Sequence, residues 1–593
     1  TAIERANTLS QSRIVEAIDQ VSQAKAAHPR PAMATSYAAP RSETETWLAT
    51  VWQAVLGIDQ VGIHDNFFEL GGDSVLALQV IARANEIGAQ ISPALLFQHQ
   101  TIAELAAVIS PSDTTSPAEE AAGPVPLTPS QRWLFEQQLT EPQHFNQSLL
   151  AVPSILDATT LAQAAQHVVA HHETLRLRFE LTAEGWQQRI ADAEEQPIFS
   201  AIDVTNISAD EVQQQIRKHA AALEAGLDLV NGPLLRLALF YAGPTQPAQL
   251  LVTIHQLAVD ARSWQFILAD LWTAYQQLNQ GAAVALPART APFRQWAERL
   301  AAQADAQTTL DEQSYWQPIL EEWIAPLPRD IESPESANTA GSTATIRTTL
   351  DAEATRALFE IAPDMYRAEP LDLLLSALAQ QLAAWSGERS LLLELQQDAR
   401  QLPDEKLDLS RTAGWFAFSF PLLLSADPAT GIVETLKAVK DTLRQVPSRG
   451  AHYGLLRYLN PEAGEQLSAL PGPEIRLSYW GRIGARVPDG AGWRISSGNL
   501  SPQPASSAQR AYLLEIDAFV EDDTLVLEWR YSTALHQHAT IERLAHLVLD
   551  GLGILIKGDT SADGDVYTPS DFPLSGLNQE DLSRFLSSVR RRS

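Results

Sequence analysis

Apolar positions recur along the chain with two periods, and the change between them divides it. In residues 42–111 the period is helical. Trp47, Leu48, Val51, Trp52, Val55 and Leu56 fall on one stripe. Gly57 follows where a helix end favours glycine. Val75, Leu78 and Ile81 make a second stripe, and Leu105, Val108 and Ile109 a third. The third begins after Thr101-Ile102-Ala103-Glu104, which has the form of a capping box. The pattern predicts a small all-α bundle of four helices. Trp47 and Trp52 belong to its core rather than to a ligand site.

From Pro124 the pattern becomes mixed. Leu235 to Tyr241, Leu250 to Ile254 and Thr343 to Leu350 read as strands, the last rich in β-branched residues. Arg262-Ser263-Trp264 leads into a helix running through Tyr275. The large region is therefore α/β, with no short internal repeat. Three segments fall outside these two regions. Residues 1–41 read as an N-terminal helical segment and linker, with a polar helix over 1–28 that is weakly amphipathic through Ile14, Val15, Ile18 and Val21 and ended by His28-Pro29-Arg30-Pro31. Residues 112–123 have the Ser, Pro, Ala and Glu content of a flexible linker. In the tail, residues 578–593, Leu582, Phe585, Leu586 and Val589 recur at helical spacing before three arginines. The tail reads equally as a docking helix and as a linker to a following module.

Composition narrows the function. A chain of 593 residues exceeds one ordinary core. Its net charge of −30 argues against nucleic acid and anionic membrane as partners. It has no cysteine, so disulfides, thiolate ligands and cysteine nucleophiles are excluded, and a cytoplasmic location fits. No apolar run reaches the roughly 18 residues that a transmembrane helix needs. The N-terminus lacks the basic-then-apolar pattern of a signal peptide.

The run Asp65-Asn66-Phe67-Phe68-Glu69-Leu70-Gly71-Gly72-Asp73-Ser74 places a serine after a glycine pair, at the start of a helical stripe. By itself that describes an N-cap serine. The whole run resembles the signature of peptidyl carrier domains of nonribosomal peptide synthetases. The resemblance implies that Ser74 carries 4'-phosphopantetheine, whose thiol holds an amino acid as a thioester. A separate phosphopantetheinyl transferase would install it. The Asp73-Ser74 pair resembles carriers that precede epimerisation domains. The implied partners also include an upstream adenylation domain and neighbouring synthetase modules. The linker would let the arm swing and raise the local concentration of its cargo.

Residues 124–577 resemble the condensation and epimerisation superfamily of the same synthetases. The blocks are Pro126 to Phe135, His144 to Ser148, His171 to Arg176 and Gly232 to Arg236. Thr290 to Leu300, Arg411 to Pro421, Pro447 to Tyr458 and Tyr567 to Leu574 resemble epimerisation domains in particular. The resemblance implies two chloramphenicol-acetyltransferase-like α/β lobes, about 124–310 and 311–577, with a tunnel between them that admits the arm.

The superfamily's active-site block reads H-H-x-x-x-D-G. Here it is His255-Gln256-Leu257-Ala258-Val259-Asp260-Ala261. Epimerisation removes and returns a proton at the α-carbon. Imidazole can do either near neutral pH, whereas a glutamine amide cannot carry the proton. The E-G-H-G-R block on the opposite lobe is matched by Leu393 to Arg400, with Glu394 as the candidate glutamate and its Gly-His-Gly gone. Ala261 and Arg262 would crowd a tunnel that glycine keeps open. His255 and Asp260 read as holding the loop, Asp260 paired to an arginine or capping the next helix. The pair His171-His172 lacks a third ligand in the sequence, so no metal is expected. The leading reading is a carrier plus a catalytically degenerate, interface-domain-like epimerisation domain, which recruits a trans-acting tailoring oxygenase such as a β-hydroxylase. The alternatives are an active L-to-D epimerase and a peptide-bond-forming condensation domain.

Overall fold

The structure is a computed structural model. It describes residues 30–31, 37–56, 58–67, 70, 76, 80, 99–108, 122–153, 156–193, 197–205, 207–241, 243, 248–322, 324–402, 407–482, 493–499 and 505–558. Asp73 and Ser74, most of the second helical stripe, the N-terminal helix, most of the linker, the block Tyr567 to Leu574 and the tail lie outside the described residues. The chain divides into two compact units, Thr1–Ala121 and Ala122–Ser593.

In the first unit, helices Glu43–Leu56 and Ile102–Val108 pack on each other. Leu48, Trp52, Val61, Phe67, Ile102 and Leu105 form their shared core. Trp52 meets Phe67 edge-on, with ring centroids 4.9 Å apart. Trp47 is buried in the same core. The Glu104 N–H reaches Thr101 Oγ1 at 3.3 Å, as a capping residue would hold it. Asp65, the first residue of the serine run, is buried. It accepts from Gly62 N–H at 2.7 Å and from Arg30 Nε at 2.7 Å, so a charge within the core is paired.

The second unit contains three sheets. The five-stranded sheet orders Trp493–Asn499, Asn146–Pro153, Gln249–His255, Leu235–Tyr241 and Phe199–Asp203. The six-stranded sheet orders Ala417–Ser425, Ser390–Asp398, Ile475–Arg482, Leu514–Glu521, Thr524–Ser532 and Thr343–Leu350. A small sheet joins Gly123–Val125, Gly185–Ile190 and Leu177–Thr182. Helices cover both large sheets, which gives the two α/β layers expected from the sequence.

Helix Pro370–Ser386 illustrates the packing. Proline opens it, Glu369 and Asp372 cap each other, and Gly387 closes it in the left-handed region at φ 78°. Its side chains from Leu371 to Ala379 are all buried. A helix apolar on every side must be covered on every side. Helices Ile432–Gln445 and His538–Lys557 and strand Ser390–Asp398 supply that cover. The halves are not sequentially separate. Strand Trp493–Asn499 comes from the second half and pairs antiparallel with Asn146–Pro153 of the first. Leu409, Ala413, Trp415 and Phe416 also sit in the core built mainly by residues 125–304.

Candidate functional site

Strand Gln249–His255 delivers the H-H-x-x-x-D-G segment to the junction of the two halves. His255 is fully buried. Its Nε2 lies 2.8 Å from the Pro142 carbonyl, and its Nδ1 accepts the Leu257 N–H at 3.1 Å. These partners require a neutral ring with the proton on Nε2. Burial pushes its pKa down to about 4, with the Pro142 carbonyl pulling the other way. Both nitrogens are therefore engaged by the backbone.

Gln256 occupies the second-histidine position and is also buried. Its Oε1 accepts from Gln147 Nε2 at 2.6 Å, and Gln147 Oε1 accepts from the Trp264 indole. The chain Trp264–Gln147–Gln256 contains three neutral side chains and no titratable group.

Asp260 both caps the following helix and pairs with an arginine. Oδ1 accepts the Ser263 N–H at 2.9 Å, at the start of helix Ser263–Asn279. Oδ2 pairs with Arg400 Nη1 at 2.7 Å and accepts the Phe416 N–H at 3.1 Å. Arg400 also reaches Asp398 at 3.2 Å and the Thr412 carbonyl at 2.8 Å, and its guanidinium lies 4.1 Å from the Phe416 ring centre. Residues 260–263 of the first half and 398–416 of the second are thus tied through one buried arginine.

Arg400 also fixes a register. In E-G-H-G-R the glutamate precedes the arginine by four, and four before Arg400 is Gln396, not Glu394. Strand Ser390–Asp398 turns Glu394, Gln396 and Asp398 to the same face. Gln396 lines the cavity described below and accepts from Ser478 Oγ at 3.1 Å. Glu394 is not among the lining residues; its Oε1 accepts from the Tyr512 hydroxyl at 2.7 Å. Burial raises the Glu394 pKa, opposed by the Tyr512 hydroxyl and Arg476. Block resemblance singles out Glu394 and passes over Gln396. The arginine spacing is the signal that distinguishes them.

The space around these residues is uneven. Beside Asp260, Ala261 and Arg262 the opening measures about 10 Å³, roughly one water. Arg262 Nε lies 3.3 Å from Asp398 Oδ2 across it, so the cation does crowd this side. A separate cavity of about 440 Å³, lined in part by Gln396, lies between Trp133 and Trp296 of the first half and Trp415, Phe418 and His452 of the second. Part of its wall is the loop after helix Ile432–Gln445, where Ser448, Arg449 and Gly450 are all left-handed, at φ 45°, 50° and 84°. Only glycine suits position 450, because a Cβ there would run into the Phe420 ring.

His171, His172 and Asp270 bring their ligand atoms within 4.8 Å of one another. The Asp270 carboxylate is already used, by His172 Nε2 at 2.9 Å and by Arg411 at 2.8 Å. Burial, together with His172, pushes the His171 pKa down to about 4. The cluster is complete as a hydrogen-bonded ion pair.

Residues 121–573 match the condensation domain family, and residues 46–109 match the phosphopantetheine attachment site family. The chain belongs to the condensation domain family. Its carrier region precedes that domain, as in nonribosomal peptide synthetases, and carries 4'-phosphopantetheine as its cofactor. One component of the linear gramicidin synthase of Brevibacillus parabrevis is 38% identical over 565 residues, covering 94% of this chain and 7% of that protein. Chondramide synthase of Chondromyces crocatus is 36% identical over 569 residues, covering 94% of this chain and 14% of that protein. The chain therefore spans only a small part of such relatives. Among solved structures, the epimerization domain of the third module of tyrocidine synthetase B is similar with TM-score 0.67 and 29% identity, over 74% of this chain and 97% of that one. The X-domain in complex with OxyB from teicoplanin biosynthesis matches with TM-score 0.59 and 23% identity, over 76% of this chain and 98% of that one. At that identity the second likeness supports the fold alone. Among the described residues no helix is long and apolar enough to cross a membrane.

Proposed function

We propose that the large unit is an epimerisation-like domain that has lost proton transfer and instead presents a carrier-bound amino acid to a trans-acting tailoring enzyme, such as a β-hydroxylase. In this reading Ser74 bears the arm, Asp73 belongs to its recognition sequence, and the acyl group rides on the terminal thiol. The observation that carries the reading is Gln256, a buried amide bonded to Gln147 where an imidazole would exchange a proton. Gln396, at the glutamate position counted from Arg400, supports it. Gln396, which lines the cavity, can orient a thioester by hydrogen bonds, and neither amide can hold its α-proton. His255, Asp260 and Arg400 then act as scaffold.

An active L-to-D epimerase is the second reading. What favours it is Glu394, a buried carboxyl whose pKa is raised in the direction a general base or acid needs. Its bond to Tyr512 and its absence from the cavity lining count against it.

The test loads Ser74 with L-aminoacyl-pantetheine in deuterated water and follows α-deuterium by mass spectrometry, with chiral analysis of the released amino acid. The proposal expects no exchange. Deuterium uptake with D-product would establish the epimerase instead. A tailoring oxygenase offered to the loaded chain should modify it faster than the loaded carrier region alone; equal rates would remove the recruitment role.

A further inference from the structure

The cavity of about 440 Å³ departs from the chain around it in its charge. The chain carries a net charge of −30, yet among the described residues no carboxylate lines this cavity. Its charged lining consists of Arg299, Arg449 and His452. A void whose charged lining is all basic, inside an acidic protein, suits an anionic ligand.

Arg449 and His452 differ in depth. The Arg449 side chain is 63% exposed and sits at the rim, with Glu369 3.7 Å away. The His452 side chain is 22% exposed and is backed by Glu312, 11% exposed, with Nδ1 2.8 Å from Glu312 Oε1. Ser448 donates to the same oxygen at 2.6 Å. In the doubly protonated ring Nδ1–H is committed to Glu312 and Nε2–H is the donor left for an anionic ligand, with no protein partner among the described residues. A carboxylate behind an imidazolium fixes its orientation, and so makes its second N–H ready to bind an anion without rearrangement.

A pantetheine arm enters such a cavity with its phosphate nearest the carrier and its acyl group deepest. An arm that entered past the exposed Arg449 would bring its phosphate to that arginine and its amino acid to the deeper imidazole. We propose that the cavity selects a carrier-borne amino acid with a side-chain carboxylate, and that His452, held by Glu312, binds that carboxylate. The inference rests on the reading that this domain receives the loaded arm. His452 is a binding and positioning residue here; no bond is made or broken.

The experiment titrates the full chain, unmodified at Ser74, with hydrolysis-resistant aminoacyl-aminopantetheine amides of aspartate and asparagine, each with and without the phosphate, by calorimetry. The aspartyl compound should bind about tenfold tighter than the isosteric asparaginyl one, as a charge-assisted hydrogen bond provides. His452→Gln should bring that ratio close to one and leave asparaginyl affinity within about twofold, which also reports that the variant is folded. Glu312→Gln should lower the ratio part of the way. Equal aspartyl and asparaginyl affinities in the unaltered chain overturn the proposal. If only the phosphate changes affinity, the basic lining serves the arm and the proposal again fails. Loss of both affinities in His452→Gln would mean that the residue shapes the cavity rather than selecting its ligand. The α-deuterium experiment is read separately. Exchange together with a tenfold ratio removes the inactive-domain reading and keeps the selectivity. No exchange together with equal affinities does the reverse.

Discussion

Two openings in the large unit make an instructive pair. Beside one, of about 10 Å³, Asp260 and Asp398 are paired with Arg400, while the His255 ring has both nitrogens on backbone. Beside the other, of about 440 Å³, lie aromatic rings and a few basic groups. Asp260 and Ala261 of the block that resembles the family's catalytic one therefore line the narrow opening, and the room for a substrate lies in the wide one. Part of the motif, Asp260, ties the two halves together whatever chemistry the domain performs. What remains of H-H-x-x-x-D-G here is the part with structural partners. The changed second-histidine position, Gln256, is itself buried against Gln147 and lines neither opening.

The strongest way to break this contrast is to rebuild the chemistry. Gln256→His combined with Gln396→Glu should raise α-deuterium exchange on the loaded carrier by about 10²–10⁴-fold over the unaltered chain. Unchanged exchange would mean that these two positions are not where protons would move. Next in size, Arg400→Leu leaves Asp260 buried without its cation and Asp398 with only the partly exposed Arg262. The expected cost is about 3–5 kcal/mol of unfolding free energy, read from denaturant titration. A loss under about 1 kcal/mol would show that this ion-pair cluster does not hold the halves.

Acid should act on the same motif. The His255 ring titrates near 6.5 when unfolded and near 4 when folded. Between those values the unfolded chain binds the proton and the folded one does not. Stability is therefore fully present above about 6.5 and falls as the pH drops towards 4, by about 3 kcal/mol from this residue. Denaturation curves at pH 7 and 4.5 measure it, and His255→Asn should flatten the difference. The smallest effect is Arg262→Ala. Its pair with Asp398 is partly exposed, so stability should change by less than about 1 kcal/mol while the narrow opening widens.

Much of this is legible from sequence where the signal is local. Strands Leu235–Tyr241 and Thr343–Leu350 fall where alternation and β-branched residues place them, and helix Ser263–Asn279 starts at the expected serine. The carrier stripe with Trp47 and Trp52 packs inward for the same reason. Asp260 reads from sequence as either a cap or an ion-pair partner; its two oxygens take one role each. What stays hidden depends on partners far along the chain. Glu394, Gln396 and Asp398 share a strand face, and their own strand does not say which of them meets the cavity. The packing answers it, with Gln396 lining the cavity while Glu394 is taken by Tyr512, 118 positions later. His452 carries no local signal either, since Glu312 is 140 positions away.

Strand Trp493–Asn499 has a practical meaning for anyone who dissects or exchanges parts of this chain. It leaves the second half, hydrogen-bonds along Asn146–Pro153 and becomes the edge of the first half's sheet. A graft that joined a foreign first half near residue 310 would import a sheet edge shaped for another strand. The inserted piece would then expose an open ladder, the kind that recruits neighbouring chains into aggregates. The large unit has to be transplanted whole.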